Sequence, residues 1–126
     1  MLNAFFANHA YVRVRRNQFR VRHLESGADA TIQAQMPFSS VRLLVGNFTA
    51  ADQALKGALR DIAKSRIISA RPRVLIQPLE LIEGGLSEIE ERILRELAIG
   101  AGASKVVVWV GPELTDTQVK QKLNGK

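Results

Sequence analysis

The sequence predicts an α/β domain with the element order β-β-β-α-β-α-β, a mixed sheet with helices packed on it. Three observations support this prediction. Two neighbouring segments near the N-terminus alternate between apolar and polar residues with period two, which indicates strands with two different faces. Two later segments carry a helix-capping signal followed by an apolar stripe at helical spacing. A short apolar run follows each predicted helix and is typical of a strand covered on both faces.

The first three strands are predicted to form a meander. Residues 11–15 and 19–23 alternate in polarity, and Asn17-Gln18 is the predicted tight turn between them. A second turn over residues 26–29 leads to a third strand over residues 30–34. This meander precedes both predicted helices.

The first helix and its following strand form the next unit. The hydroxyl of Thr49 can accept a hydrogen bond from a first-turn amide, and Asp52 supplies the reciprocal acid, so we expect the helix to begin at Thr49. Residues 74–76 then form a fully apolar strand, which Pro78 limits. Residues 41–45 are a short apolar run to which the pattern assigns no role. The predicted buried stripe of the helix consists of Leu55, Ala58, Leu59 and Ile62.

The second helix and strand repeat this arrangement. Ser87 and Glu90 match a capping box. Residues 105–110 predict a second buried strand, in which Trp109 is expected to be a core residue, and residues 115–123 predict a short helix. Because parallel strands joined by helices form right-handed crossovers, both strands are expected to join one sheet. The predicted buried stripe of this helix consists of Leu86, Ile89, Ile93, Leu94 and Leu97.

Composition excludes several classes of function. The chain has no cysteine, which excludes a disulfide scaffold, thiolate metal sites and a cysteine nucleophile. The two histidines are His9 and His23, too few for a histidine-rich metal centre, and we expect His23 to be a satisfied histidine on the apolar face of its strand. The formal net charge of +6 favours anionic partners, such as nucleic acid, lipid head groups or an acidic protein.

Five short segments in the second half of the chain carry a resemblance to a known family. They follow one another in the order and approximate spacing of the first part of the bacterial rod-shape-determining MreB proteins, which are actin-like filament ATPases. The resemblance covers residues 37–112 and implies the ribonuclease-H-like fold that each half of an actin-like protein uses. The segments are Val45-Gly46-Asn47-Phe48-Thr49, Arg71-Pro72-Arg73-Val74-Leu75-Ile76, Ile89-Glu90-Glu91-Arg92, Gly100-Ala101-Gly102-Ala103 and Lys105-Val106-Val107-Val108.

The chain departs from that family at the positions that bind nucleotide. The family's first strand carries a phosphate loop with an aspartate, and the matching stretch here reads Arg13-Val14-Arg15-Arg16. The family's catalytic glutamate follows the last strand of this half, where this chain reads Val110-Gly111-Pro112. We therefore expect a non-enzymatic protein with no catalytic residue, no cofactor and no metal. A ribonuclease-type activity is also disfavoured, because its metal-binding carboxylates would begin on the arginine-rich first strand.

The resemblance implies a single actin-like domain over residues 1–126. We expect residues 1–9 to be a flexible or membrane-touching segment and residues 113–126 to be a short helix or tail. No apolar run approaches the roughly 20 residues of a transmembrane helix, and the N-terminus lacks the basic region of a secretory signal. We therefore expect a cytoplasmic protein.

One face of the predicted hairpin is the candidate site. With a turn at Asn17-Gln18, Arg15 lies opposite Arg20. Arg13 lies opposite Arg22 in the same register. Like charges directly opposite one another are destabilising, so an anion or an acidic partner bound to this face would relieve the repulsion. The alternative is a solvated sheet face with no ligand.

Three functions are compatible with these features. The leading hypothesis is an interaction module in bacterial cell-shape or cytoskeletal machinery, which docks onto a filament or an acidic protein partner or associates with itself as a homo-oligomer. The first alternative is a nucleic-acid-binding domain that uses the arginine-rich hairpin for phosphate contacts. The second alternative is a small actin-like ATPase. Membrane contact through Leu2, Phe5 and Phe6 is a further hypothesis.

Overall fold

The computed structural model describes residues 8–64 and 71–125. The predicted flexible or membrane-touching segment therefore lies outside the described residues, except for Asn8 and His9. Its apolar residues Leu2, Phe5 and Phe6 are all outside them. The elements follow the predicted order, with one more helix at the end. They are β1 (His9–Arg15), β2 (Gln18–His23), β3 (Asp29–Gln33), α1 (Phe48–Lys64), β4 (Arg73–Pro78), α2 (Glu88–Gly100), β5 (Lys105–Val108) and α3 (Asp116–Asn124).

The strands form one mixed sheet in the order β3-β2-β1-β4-β5. The meander strands pair antiparallel, β4 pairs parallel with β1, and β5 pairs parallel with β4. Helices α1 and α2 occupy the connections between the parallel strands. The α/β class and the mixed sheet are thus confirmed. None of the helices in the described part of the chain is long and apolar enough to cross a membrane.

The register of the β1–β2 hairpin differs from the prediction by two residues. Arg15 pairs with Gln18 and Arg13 pairs with Arg20, so the turn is at residues 16–17. The predicted pairs of Arg15 with Arg20 and of Arg13 with Arg22 are therefore wrong. A shift of two residues preserves the face of each side chain, so the four arginines still share one face of the sheet.

Asn17 explains the position of this turn. Its φ of 56° lies in the left-handed region, which asparagine adopts more readily than most residues. Its side-chain Oδ1 accepts hydrogen bonds of 2.7 Å from the backbone N–H groups of Phe38 and Ser39. The turn is thus fixed by a segment that lies about 20 residues further along the chain.

The sheet is covered on both faces. Helix α1 contacts β2 and β3, and α2 contacts β4 and β5, on the side where Val12, Val21 and Ile76 are buried. Helix α3 covers the other side, where it buries Tyr11 and Leu75. Strand β4 is therefore buried on both faces, as predicted. Strand β5 is an edge strand and only half-buried, so the prediction of a second fully covered strand is wrong.

Local capping signals were predicted with mixed success. The capping box of Ser87 with Glu90 is confirmed, and Thr115 forms a second box that begins the predicted short C-terminal helix. Helix α1 instead begins at Phe48, because Oδ1 of Asn47 accepts from the N–H of Ala50 at 3.0 Å. The predicted start at Thr49 is therefore wrong.

The buried stripe of α2 is narrower than predicted. Leu94 and Leu97 are fully buried, but Ile89 is 71% exposed, so its predicted place in the stripe is wrong. At 3.6 residues per turn, Ile89 lies about 140° around the helix from Leu94. The first turn of α2 therefore presents an apolar side chain to solvent.

We predict opposite effects for two aspartate substitutions on this helix. Leu94→Asp places an unpaired carboxylate in the core, at a cost of several kcal/mol against a total stability of about 5–15 kcal/mol. The variant should show no cooperative thermal transition by circular dichroism. Ile89→Asp is the matched control and should melt within a few degrees of the wild type. A folded Leu94→Asp variant would show that the helix register is wrong.

Candidate functional site

The four arginines of the predicted site do share one side of the sheet, which we call the arginine face (Arg13, Arg15, Arg20 and Arg22). Residues 109–125 run across the same side, and we call them the C-terminal cover. This cover contains α3 and the loop that precedes it. Three carboxylates, two of them on the cover, meet the arginines: Asp29, Glu113 and Asp116.

Arg22 binds the first turn of α3. Its Nε and Nη2 donate to Oδ1 and Oδ2 of Asp116 at 2.9 and 2.8 Å. The hydrogen bond from Arg22 holds the pKa of Asp116 below its usual value. A two-point contact of this kind fixes direction as well as distance, so it sets the position of the N-terminus of α3 on the sheet.

Arg20 is paired within the sheet itself. Its Nε and Nη2 donate to Oδ1 and Oδ2 of Asp29 on β3 at 3.0 and 3.1 Å. The hydrogen bond from Arg20 lowers the pKa of Asp29, and the charge of Arg22, whose Nη1 lies 3.6 Å from Oδ2, acts in the same direction. Asp29 therefore lies between two arginines and reduces their mutual repulsion.

Glu113 of the cover meets the remaining two arginines. Nη1 of Arg13 donates to Oε1 at 3.1 Å, while Nη2 of Arg15 lies 3.9 Å from Oε2. The guanidinium carbon of Arg13 also lies 4.4 Å from the centre of the Tyr11 ring, within the range of a cation–π contact. The side chain of Arg15 is 48% exposed, so among these arginines it is well placed to meet a group from outside the chain.

These contacts change the electrostatic basis of the predicted site. The repulsion between the arginines is relieved by carboxylates of the same chain. Binding of an external anion or partner by Arg13, Arg15, Arg20 and Arg22 stays a prediction, but relief of repulsion no longer requires it. Sequence reasoning missed the pairing because the two carboxylates of the cover lie 94 to 100 residues from the arginines they contact.

A buried polar network holds the start of the cover to the sheet. The hydroxyl of Tyr11 donates to Oε1 of Gln77 and accepts from the N–H of Leu114 at 3.1 Å. Nε2 of Gln77 donates to the carbonyl of Gly111 at 2.7 Å. Both side chains are almost completely buried, and burial raises the pKa of Tyr11. The network attaches the loop before α3 to the two central strands.

His9 forms a contact at the far end of α3. Its Nδ1 lies 2.5 Å from Oε2 of Glu25, and its Nε2 lies 2.9 Å from Oδ1 of Asn124. Burial acts to raise the pKa of Glu25, but the hydrogen bonds from His9 outweigh it and leave the pKa below its usual value. His23 is buried, as expected of a residue on the apolar face of its strand, and its Nδ1 lies 2.7 Å from Oγ of Ser26.

The prediction that Trp109 is a core residue of a buried strand is wrong, because β5 ends at Val108. Its indole N–H donates to the carbonyl of Pro112 at 2.9 Å, and Nζ of Lys122 lies 3.8 Å from the ring centre. The ring is half-buried and packs against the cluster under α3. It therefore belongs to the cover.

A second candidate site lies on the opposite side of the sheet, where the α2 helix meets the run at residues 41–45. We call it the apolar groove. Leu43 and Ile89 line the groove and are 44% and 71% exposed, and Val41, two residues before Leu43, is 86% exposed. The groove is lined by Leu43, Leu44, Val45, Pro78, Glu80, Leu81, Leu86, Ile89, Glu90, Ile93 and Leu94.

Two carboxylates, Glu80 and Glu90, are among the residues that line the apolar groove. Glu80 accepts from the backbone N–H of Arg16 at 2.6 Å, and Glu90 accepts from the N–H of Ser87 at 2.9 Å. Neither carboxylate forms an ion pair within the described residues. Arg42, next to Leu43 in the sequence, is exposed. Residues 8–64 and 71–125 contain no cluster of three or more side chains suited to hold a metal ion.

Comparison with known proteins places the chain in a family. No family model matches it. It is 38% identical over 100 residues to "Uncharacterized protein YjaA" of Escherichia coli K12, over 75% of this chain and 77% of that protein. The chain therefore belongs to the YjaA family. The features described above define it as an α/β domain with one five-stranded mixed sheet.

We predict that Tyr11→Phe destabilises the domain. The substitution keeps the ring but leaves Oε1 of Gln77 and the N–H of Leu114 without their partner, at a cost of about 1–3 kcal/mol. Urea denaturation should show this loss as a lower midpoint with an unchanged slope. Arg15→Gln is the control and should change the free energy of unfolding by less than about 1 kcal/mol, because its ion pair is exposed. Equal stability of Tyr11→Phe and wild type would contradict the network.

Proposed function

We propose that this protein is a non-enzymatic interaction module and that the apolar groove is its binding site. The observation that carries the proposal is the exposure of Leu43 and Ile89, both of which line the same apolar depression. A contiguous apolar surface with a polar rim is typical of protein interaction sites, and without a partner it promotes aggregation. Single exposed apolar residues are common on protein surfaces, but a group of them that lines one groove is not.

The groove favours an amphipathic helix of another protein as its occupant. Such a helix presents apolar residues at positions i, i+4 and i+7 to a groove and polar residues to its lips. Glu80 and Glu90 would meet lysine or arginine side chains of that helix. The charge of the groove thus favours a basic partner helix over an acidic one.

The sheet order supports a ribonuclease-H-like arrangement for the domain, as in one half of an MreB-type protein. The sheet has an antiparallel meander of β1, β2 and β3, and the parallel strands β4 and β5 follow next to β1. This arrangement is compatible with the element order that the resemblance implies. Fold alone does not give function, so the analogy only suggests a first partner to test. We propose an MreB-type filament protein as that partner.

Two alternatives stay predictions with weaker support from the geometry. The arginine face would need to exchange its carboxylates for phosphates to bind nucleic acid. The guanidinium groups that would contact phosphate are already paired with the carboxylates of Asp29, Glu113 and Asp116. The actin-like ATPase alternative has no described residue in its favour.

We predict that a 15-residue helical peptide of leucine and lysine binds the groove and that Ile89→Asp weakens binding at least tenfold. A buried aspartate would be left without a partner in the complex. The affinity is measured by fluorescence titration, and the site by NMR shifts at residues 43–45 and 86–94. Co-sedimentation with a purified MreB-type filament tests the proposed partner with the same variants.

Two controls make this test specific. Ile99→Asp changes an exposed isoleucine on the same helix, outside the groove, and should leave binding unchanged. A leucine–glutamate peptide of equal length should bind more weakly than the leucine–lysine peptide. Equal affinity of wild type and Ile89→Asp would contradict the proposal. Salt-sensitive oligonucleotide binding that is lost in an Arg15→Gln, Arg20→Gln double variant would support the nucleic-acid alternative instead.

A further inference from the structure

Strand β3 leaves one edge of the sheet without a backbone partner. The N–H of His23 donates to the carbonyl of Ala28, and the N–H of Ala34 donates to the carbonyl of Asn17. The backbone N–H and carbonyl groups of the even-numbered residues from 28 to 34 therefore face β2. The backbone groups of Thr31 and Gln33 therefore point outward. Within the described residues, these outward groups have no hydrogen-bond partner.

Strand β3 lacks the features that protect many edge strands. Strand β5, at the opposite edge, is four residues long and begins with a lysine. Proteins commonly protect edge strands with charges, prolines, bulges or covering segments. Residues 30–35 contain no charged residue and no proline, and the carboxylate of Asp29 is paired with Arg20.

A groove of about 440 Å³ runs between this open edge and α1. Four of the six α1 residues that line it are alanine or glycine, and a methyl group added at Gly57 would meet no atom within 4 Å. Met36 borders the groove and is 59% exposed. An approaching helix could therefore come close to α1 and bury Met36 at the same time. The lining residues from α1 are Ala50, Gln53, Ala54, Gly57, Ala58 and Asp61.

We propose that two copies of this chain associate through their β3 edges, antiparallel about a twofold axis, to form one continuous sheet. The two outward rows of N–H and carbonyl groups then satisfy each other. The same symmetry brings the two α1 helices side by side over the joined edge and buries Met36 of each copy. A twofold interface uses the same patch on both chains, and an open edge with an adjoining groove provides such a patch.

Charge along the strand favours a second copy as the occupant. In an antiparallel pairing of β3 with itself, the acidic end of one strand lies opposite the neutral glutamines of the other, Gln33 and Gln35. No like charges are opposed, although each chain carries a net charge of +6. The two central segments that meet are uncharged and β-branched at Thr31 and Ile32, which suits cross-strand packing.

Solution mass tests this proposal. Sedimentation equilibrium of the full chain at about 10–500 µM should show a monomer–dimer equilibrium. Thr31→Pro removes an outward N–H and no bond within the chain, a position at which edge strands tolerate proline, so it should give a folded monomer. Gln33→Lys adds an edge charge and should weaken dimerisation at least tenfold. Val110→Lys adds the same charge beyond β5 and should leave the dimer intact.

Crosslinking keeps the test decisive if Thr31→Pro fails to fold. The chain has no cysteine, so a single Thr31→Cys variant gives an unambiguous product with a short bis-maleimide. It should crosslink rapidly, and Val110→Cys should not. A monomeric wild type, or a dimer that survives both Thr31→Pro and Gln33→Lys, would overturn the proposal. So would a monomer that captures only an extended peptide at this edge. Ile89→Asp should leave the dimer intact, so this inference and the proposed function fail separately.

Discussion

Burial of the two central strands on both faces is the constraint on which the rest of this structure depends. Every residue from Val74 to Ile76 is fully buried, and so are Tyr11 and Val12 on the neighbouring strand. Backbone groups at such positions must be paired within the sheet, and both faces need an apolar cover. Helices α1 and α2 supply one cover from the middle of the chain. The second face depends on residues 109–125, which contribute Val119 and Leu123 from α3.

The same second face also carries the arginines, and this combination determines the chemistry of the cover. An apolar cover alone would have buried guanidinium groups without partners, at a large cost in free energy. The cover therefore places Glu113 and Asp116 beside its apolar residues, while Asp29 acts from within the sheet. Within the described residues, these contacts do not cover the apolar groove or the β3 edge. We propose binding at those two surfaces for that reason.

The sequence predicted the features that depend on local pattern. The α/β class, the element order, the doubly covered strand at residues 74–76 and the box of Ser87 with Glu90 all follow from spacing over a few residues. The hairpin register was missed because Asn17 is held in its turn by Phe38 and Ser39, which no local pattern reveals. The carboxylate partners of the arginines lie up to 100 residues away for the same reason. The groove was missed because Ile89 matches an apolar stripe and residues 41–45 have no period.

Removal of the cover tests this account most directly. A chain that ends at Val108 loses the burial of Val119 and Leu123, each worth about 1.5–3 kcal/mol, and exposes Tyr11 and Leu75. We predict that it shows no cooperative urea transition and that a synthetic peptide of residues 109–126, added in excess, restores one. A truncated chain that unfolds cooperatively at the wild-type urea midpoint would contradict the claim that the second face of the sheet depends on its C-terminal cover.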